Sequence, residues 1–191
     1  MNNQSLEHRL NEILRDDQLL TDLPSRERFS KDFYWYSPVL KENLDSKLAD
    51  YIVFPENEEE IKIILSLAVE HRIPVTVRGT GTGNYGQIVP MEGGILIDVT
   101  RMKEIIELKQ GSIRVEPGIR LGTLERKLRE ENQELCIYPS TYMKSTAGGF
   151  VCGGSGGIGS ITWGNLWDGN VIEAKVVTME HIPRVLKIEG E

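Results

Sequence analysis

Apolar residues fall at two different spacings along the chain, and the change from one to the other near residue 48 divides it. In the first stretch Leu6, Leu10, Ile13 and Leu14 recur at helical spacing and predict an amphipathic helical arm over residues 1–48. Phe33-Tyr34-Trp35-Tyr36 follows beyond Pro24; these rings could stack on a base, but anchoring the arm to the body is the plainer expectation. At Tyr51-Ile52-Val53-Phe54 a short apolar run with strand preferences begins, closed by Pro55. Asn57 then caps a helix, with Glu60 three residues on completing a capping-box-like arrangement. Ile61, Ile64, Leu65 and Ala68 share its apolar face, and it ends near His71 or Arg72. Pro74-Val75-Thr76-Val77 is a second strand, and a strand, helix, strand unit of this length joins parallel neighbours.

Gly94 to Val99 supplies a third strand. Residues 105–108 and 112–115 alternate around Gly111 as a hairpin, and Leu121, Leu124 and Leu128 mark a second amphipathic helix. Val171 to Thr178 returns to strand character, whereas Lys187-Ile188-Glu189-Gly190-Glu191 offers no closing element. The last strand is therefore expected to leave an edge that a partner chain could complete. These elements make an α+β chain, without internal repeat, of an arm (1–48) and a body (49–191).

Composition narrows the function classes. A chain of 191 residues, 39% apolar, is long enough for one substantial core. A formal charge of −7 repels phosphate backbones and argues against nonspecific binding to nucleic acid or anionic membrane. Cys136 and Cys152 lack the paired spacing of a zinc site, so no metal is expected and both read as reduced thiols. No stretch has the length of an integral membrane segment and the amino terminus has no leader pattern, which together suggest a cytoplasmic chain. His8, His71 and His181 have no partner pattern that would make them catalytic.

Glycine is the one compositional signal: there are 19, and seven of the twelve positions from Gly148 to Gly159 are glycine. Large apolar residues return at once in Ile158, Ile161 and Trp163, which favours a loop that approaches something closely over a flexible linker. A second glycine run, Gly79-Thr80-Gly81-Thr82-Gly83-Asn84-Tyr85-Gly86, follows directly on a buried strand. A P-loop would need lysine and a hydroxyl residue where Gln87 and Ile88 stand. A Rossmann site would need a helix, but Pro90 and Gly93-Gly94 lie where that helix should be; Gly154 to Gly159 repeats the letters without a preceding strand or an expected following helix. The third reading is a nest, in which successive backbone N–H groups converge on a diphosphate and Thr80, Thr82 and Asn84 add neutral donors.

The order of motifs resembles a family. Phe54-Pro55 before Glu58-Glu59-Glu60, Ile73-Pro74-Val75 into Arg78-Gly79-Thr80-Gly81-Thr82-Gly83, and Ile95 to Met102 are similar to the FAD-binding domain of the vanillyl-alcohol oxidase and p-cresol methylhydroxylase superfamily. The likeness is to its glycolate oxidase and D-lactate dehydrogenase branch. It continues through Val115-Glu116-Pro117-Gly118, Tyr138-Pro139-Ser140, Thr146-Ala147-Gly148-Gly149, Trp163-Gly164 and Asp168-Gly169-Asn170. The resemblance implies two α/β subdomains, incomplete at the carboxyl end, with FAD as cofactor. It assigns the diphosphate to Arg78, Gly79, Thr80, Gly81, Thr82, Gly83 and Asn84, and the remaining contacts to Pro139, Ser140, Thr141, Thr146, Gly148, Gly149, Gly153, Ser155, Gly156 and Ile161. Members that tether FAD often carry histidine at the position of Thr82, and a thiol tether falls near Tyr142 rather than at Cys152, so the resemblance implies non-covalent FAD. It also implies oxidation of a 2-hydroxy acid by hydride transfer, with substrate and acid/base residues in a further domain outside these 191 residues. A flavin-binding subunit that needs a partner chain, or a non-catalytic remnant, are the other expectations.

Overall fold

In the computed structural model, which describes residues 3–190, two fully buried strands lie side by side at the centre of a sheet. That sheet runs in the order β1 (Leu19–Leu20), β2 (Tyr51–Val53), β4 (Ile95–Asp98), β3 (Val75–Arg78). β4 is parallel to both β2 and β3, while β1 caps the edge antiparallel to β2. Every residue of β2 and β4 is buried, as consecutive apolar positions require when both faces are covered.

Successive side chains point to opposite faces. Tyr51, Val53, Ile95 and Ile97 join Leu6 and Leu10 of α1 (Asn3–Ile13), Leu14 just beyond it, and Ile64, Leu65, Leu67 and Ala68 of α4 (Glu58–His71). Ile52 and Leu96 turn the other way, to Ala49 and Phe54, with Leu20 and Phe29 of α2 (Leu23–Phe29) packed alongside. The arm thus contributes to both faces of the sheet. Asp22 and Ser37 cap α2 and α3 (Pro38–Leu44) through the N–H groups of Ser25 and Leu40. Between them the aromatic run divides: Tyr34 is fully buried, whereas Trp35 and Tyr36 stack on each other at 3.9 Å and stay exposed. These elements, with the returning stretch Val177–Val185, form the first of two compact units; it extends as far as Arg101.

The second unit holds Met102–Val176 and the residues from Leu186 onward. Its hairpin pairs β5 (Ile105–Lys109) with β6 (Ser112–Val115) around Gly111, whose φ of +80° suits glycine. Leu121, Leu124 and Leu128 of α5 (Leu121–Glu130) bury against Ile119, Ile137, Phe150 and Leu166. Three sequence expectations are corrected. The first half of the glycine-rich stretch is a helix, α6 (Ala147–Gly153): the Thr146 hydroxyl accepts from the Gly149 N–H, Phe150 fills the core, and Gly148 lies where a Cβ would come within 2.6 Å of Pro117. A helical turn, α7 (Ser160–Trp163), does follow Gly159. The carboxyl end is also not without structure, because β7 (Glu173–Val177) pairs with β8 (Val185–Glu189).

Candidate cofactor site

The glycine run Gly79–Gly86 opens the connection from the carboxyl end of β3 to the amino end of β4, and residues 79–94 contain no helix or strand. Carboxyl ends of parallel strands are where open α/β sheets bind ligands. Gly81 and Gly86 adopt φ of +66° and +78°, conformations that side-chain-bearing residues rarely take. A Cβ at Gly83 would lie 2.5 Å from Gln87 Oε1 and 3.1 Å from Asp32 Oδ2, so a larger residue there would have to displace the end of the Gln87 side chain. Thr80 and Thr82 are half-buried and Asn84 is exposed.

Two sets of contacts anchor the base of this loop. Arg78 is buried, with Nε 3.2 Å from Asp98 Oδ2, and its guanidinium donates to the carbonyls of Phe29 and Lys31. Burial pushes the Asp98 carboxyl up and the Arg78 guanidinium down. The N–H and hydroxyl of Thr100, both donating to Asp98 Oδ1, and the Arg78 charge oppose the shift at Asp98. A guanidinium stays protonated far above neutral pH, so Arg78 carries its charge into this enclosed setting.

The second anchor comes from the arm. The Phe33 N–H donates to the Gly83 carbonyl at 2.8 Å, and the Gly86 N–H donates to Asp32 Oδ1 at 3.3 Å. Oδ1 also accepts from the Tyr34 N–H at 2.8 Å, while Oδ2 is buried without a hydrogen-bond partner. Burial pushes the Asp32 carboxyl up, against these backbone donors and the Arg78 charge. Sequence reading did not link Asp32 to the loop. Its only local signal is an acidic residue two places before a backbone N–H it caps, a common turn arrangement that names no distant partner.

In the second unit the other predicted residues lie along one segment. Pro139, Ser140 and Thr141 form a turn in which the Tyr142 N–H donates to the Pro139 carbonyl and the Thr141 and Ser145 hydroxyls meet at 2.8 Å. Thr146 is buried as the cap of α6; Gly148 is half-buried within that helix and Gly149 exposed. Gly153, Ser155, Gly156 and Ile161 are all exposed, and Ile161 has no cover at all at 104% relative exposure. Gly157 and Gly159 abut the backbone of Tyr138 and Cys136, so at those positions the close approach is to the chain itself. The structure therefore places Arg78 at the end of β3 and Gly79 to Asn84 in the loop that follows it, both in the first unit, and the remainder in one segment of the second.

Residues 49–180 match the FAD binding domain family. The chain belongs to that family. Glycolate oxidase subunit GlcD of Escherichia coli K12 is 30% identical to this FAD-binding domain over 131 residues, covering 68% of this chain and 26% of the relative. An uncharacterized FAD-linked oxidoreductase of Mycobacterium tuberculosis is 30% identical over 158 residues, covering 82% of this chain and 33% of its own length. A probable mitochondrial D-lactate dehydrogenase of Danio rerio is 26% identical over 130 residues, 67% of this chain and 26% of that protein. The FAD-binding domain thus spans between a quarter and a third of the curated relatives it matches. Among solved structures, an alkyldihydroxyacetonephosphate synthase aligns over 99% of this chain and 38% of its own, with TM-score 0.81 and 22% identity. p-Cresol methylhydroxylase aligns over 97% and 35%, with TM-score 0.69 and 15% identity, and these two likenesses establish the fold. Over residues 49–180 the chain is a FAD binding domain, similar in sequence to glycolate oxidase subunit GlcD and to a probable D-lactate dehydrogenase.

Proposed function

We propose that this chain holds FAD non-covalently, with its diphosphate on Arg78 at the end of β3 and on the loop Gly79 to Asn84, as part of a cytoplasmic oxidoreductase acting on a 2-hydroxy acid of the D-lactate or glycolate type. The observation that carries the reading is the loop at the carboxyl end of β3, where Gly81 and Gly86 hold left-handed conformations. Such a loop fits a diphosphate because it offers backbone and neutral side-chain donors. Among the described residues no group of three or more His, Cys, Asp or Glu is placed to hold a metal. No helix of the described residues is long and apolar enough to cross a membrane. Pro139, Ser140, Thr141, Thr146, Gly148, Gly149, Gly153, Ser155, Gly156 and Ile161 would supply the remaining contacts. Bound FAD supplies the acceptor for the hydride that leaves the CH–OH carbon.

The residues described here would orient that cofactor, and the residue that takes the hydroxyl proton would come from a further domain or partner chain. Exposed Ile158, Ile161, Trp163 and Trp167 in the second unit support such a covering element, since apolar side chains clustered in one short segment of surface mark a contact face. The reading is tested by titrating the chain with FAD while following flavin fluorescence and thermal stability. Saturable binding is expected, with a stabilisation of about 2.7 kcal/mol at a hundredfold excess over Kd. Gly81→Val should abolish it, because its Cβ would lie 2.8 Å from Arg78 Nη2 at a φ of +66°. Acid precipitation of the complex should leave all flavin in the supernatant. A folded chain that ignores FAD would overturn the reading and favour a remnant without cofactor.

A further inference from the structure

The contacts between Asp32 and the glycine loop are the least explained feature of the first unit. Asp32 is 4% exposed, and a lone carboxylate beside an anion-binding loop is electrostatically the wrong residue for that place. Its Oδ2 has no hydrogen-bond partner and would lie 3.1 Å from a Cβ at Gly83. What the residue does provide is an acceptor: Oδ1 takes the N–H of Tyr34 within the arm and the N–H of Gly86 across 54 residues of sequence. Phe33 adds a backbone bond to the Gly83 carbonyl. One oxygen thus joins an arm turn to a left-handed glycine of the loop. A short turn rich in glycine has many accessible conformations, and pinning it at two points reduces the ordering that a ligand would otherwise have to supply.

We propose that Asp32 is a positioning residue for the diphosphate, so that the arm holds the loop in its binding conformation through the Asp32–Gly86 and Phe33–Gly83 contacts. This rests on the reading that the loop takes FAD. The carboxylate has two opposed effects: its acceptor oxygen fixes the loop, and its charge repels the incoming phosphates, offset by Arg78; nearby, Asp45 pairs with Lys31 and holds the Tyr34 hydroxyl. The amide of Asp32→Asn keeps the acceptor and removes the charge. Asp32→Ser keeps an oxygen within reach of the Tyr34 N–H two residues on, but is too short to reach the loop. Asp32→Ala loses both.

The experiment is a FAD titration of the wild-type chain and the three variants, at a temperature where circular dichroism reports each as folded, with thermal melts of the ligand-free proteins alongside. Asp32→Asn should bind FAD at least as tightly as the wild type. Asp32→Ser and Asp32→Ala should bind at least ~10-fold more weakly, the scale of one buried N–H left without its partner. Asp32→Ser should melt closer to the wild type than Asp32→Ala. If Asp32→Ala does not fold, the comparison of Asp32→Ser with Asp32→Asn decides alone. Wild-type affinity in the folded Asp32→Ser variant would overturn the proposal while leaving the FAD reading intact, as would equal weakening by Asn and Ser. Absence of FAD binding by the wild type would instead remove the reading and the proposal with it.

Discussion

Arg15 and Arg101 share the carboxylates of Asp17 and Glu56 at the surface of the first unit, with Arg15–Glu56 at 2.5 Å and Arg101–Asp17 at 2.6 Å. Hydrogen bonding by Arg101 holds the Asp17 carboxyl below its usual range, and hydrogen bonding by Arg15 and then Arg101 does the same for Glu56. A depressed carboxyl favours folding above its unfolded value, near pH 4, and loses that contribution as pH falls through the folded value. Asp32 and Asp98 run the other way: burial raises them, so they favour folding most below their unfolded values and lose that advantage as pH rises through the folded ones. Asp17→Asn and Glu56→Gln are expected to lower the melting temperature at pH 7 by ~1–3 °C each, as exposed ion pairs contribute little. That difference should narrow as pH falls below about 4 toward the depressed folded values. Melts at pH 7 and pH 3 check this, and a difference that persists undiminished in acid would mean that packing, not charge, ties these residues together.

At the scale of elements, α4 is the clearest case of local rules agreeing. The Asn57 side chain accepts from the Glu60 N–H at 2.9 Å, and Glu58, Glu59 and Glu60 occupy the first turn, where negative charge meets the positive end of the helix. Lys62 reaches both Glu58 and Glu59, and the chain leaves the helix through Arg72 in a left-handed conformation. Asn57→Ala should destabilise the chain by ~0.5–2 kcal/mol, measured by denaturant unfolding, with no change in the slope. The same rules made α4, the three parallel strands, the β5–β6 hairpin and α5 readable from sequence, because each announces itself by spacing, caps or turn residues. α6 stayed hidden because Gly148, Gly149 and Gly153 are poor helix formers; its stability comes from Phe150 in the core and from the tight seat of Gly148 against Pro117, which are tertiary facts. The glycine loop was legible through its residues, whereas the contacts of Asp32 and Phe33 with it join positions some fifty residues apart and no local pattern encodes them.

On the scale of the whole molecule, the chain leaves the first unit after Arg101 and returns to it for Val177–Val185, where Ser66 Oγ donates to the His181 carbonyl and Val177 packs against the sheet's core. The residues beyond Arg101 therefore include some that the first unit uses. Central to that unit is β4, hydrogen-bonded in parallel to a neighbour on each side and buried at all four positions. Its amides can meet solvent only when the sheet itself opens, so their exchange with deuterium should be the slowest in the first unit and should report its global opening. Amides of residues 79–94, which join no strand or helix, should exchange through smaller local openings. The loop is attached directly to this slow-exchanging strand at one end, so a ligand that slowed exchange in the loop alone would have ordered it locally, whereas one that also slowed β4 would have stabilised the unit as a whole.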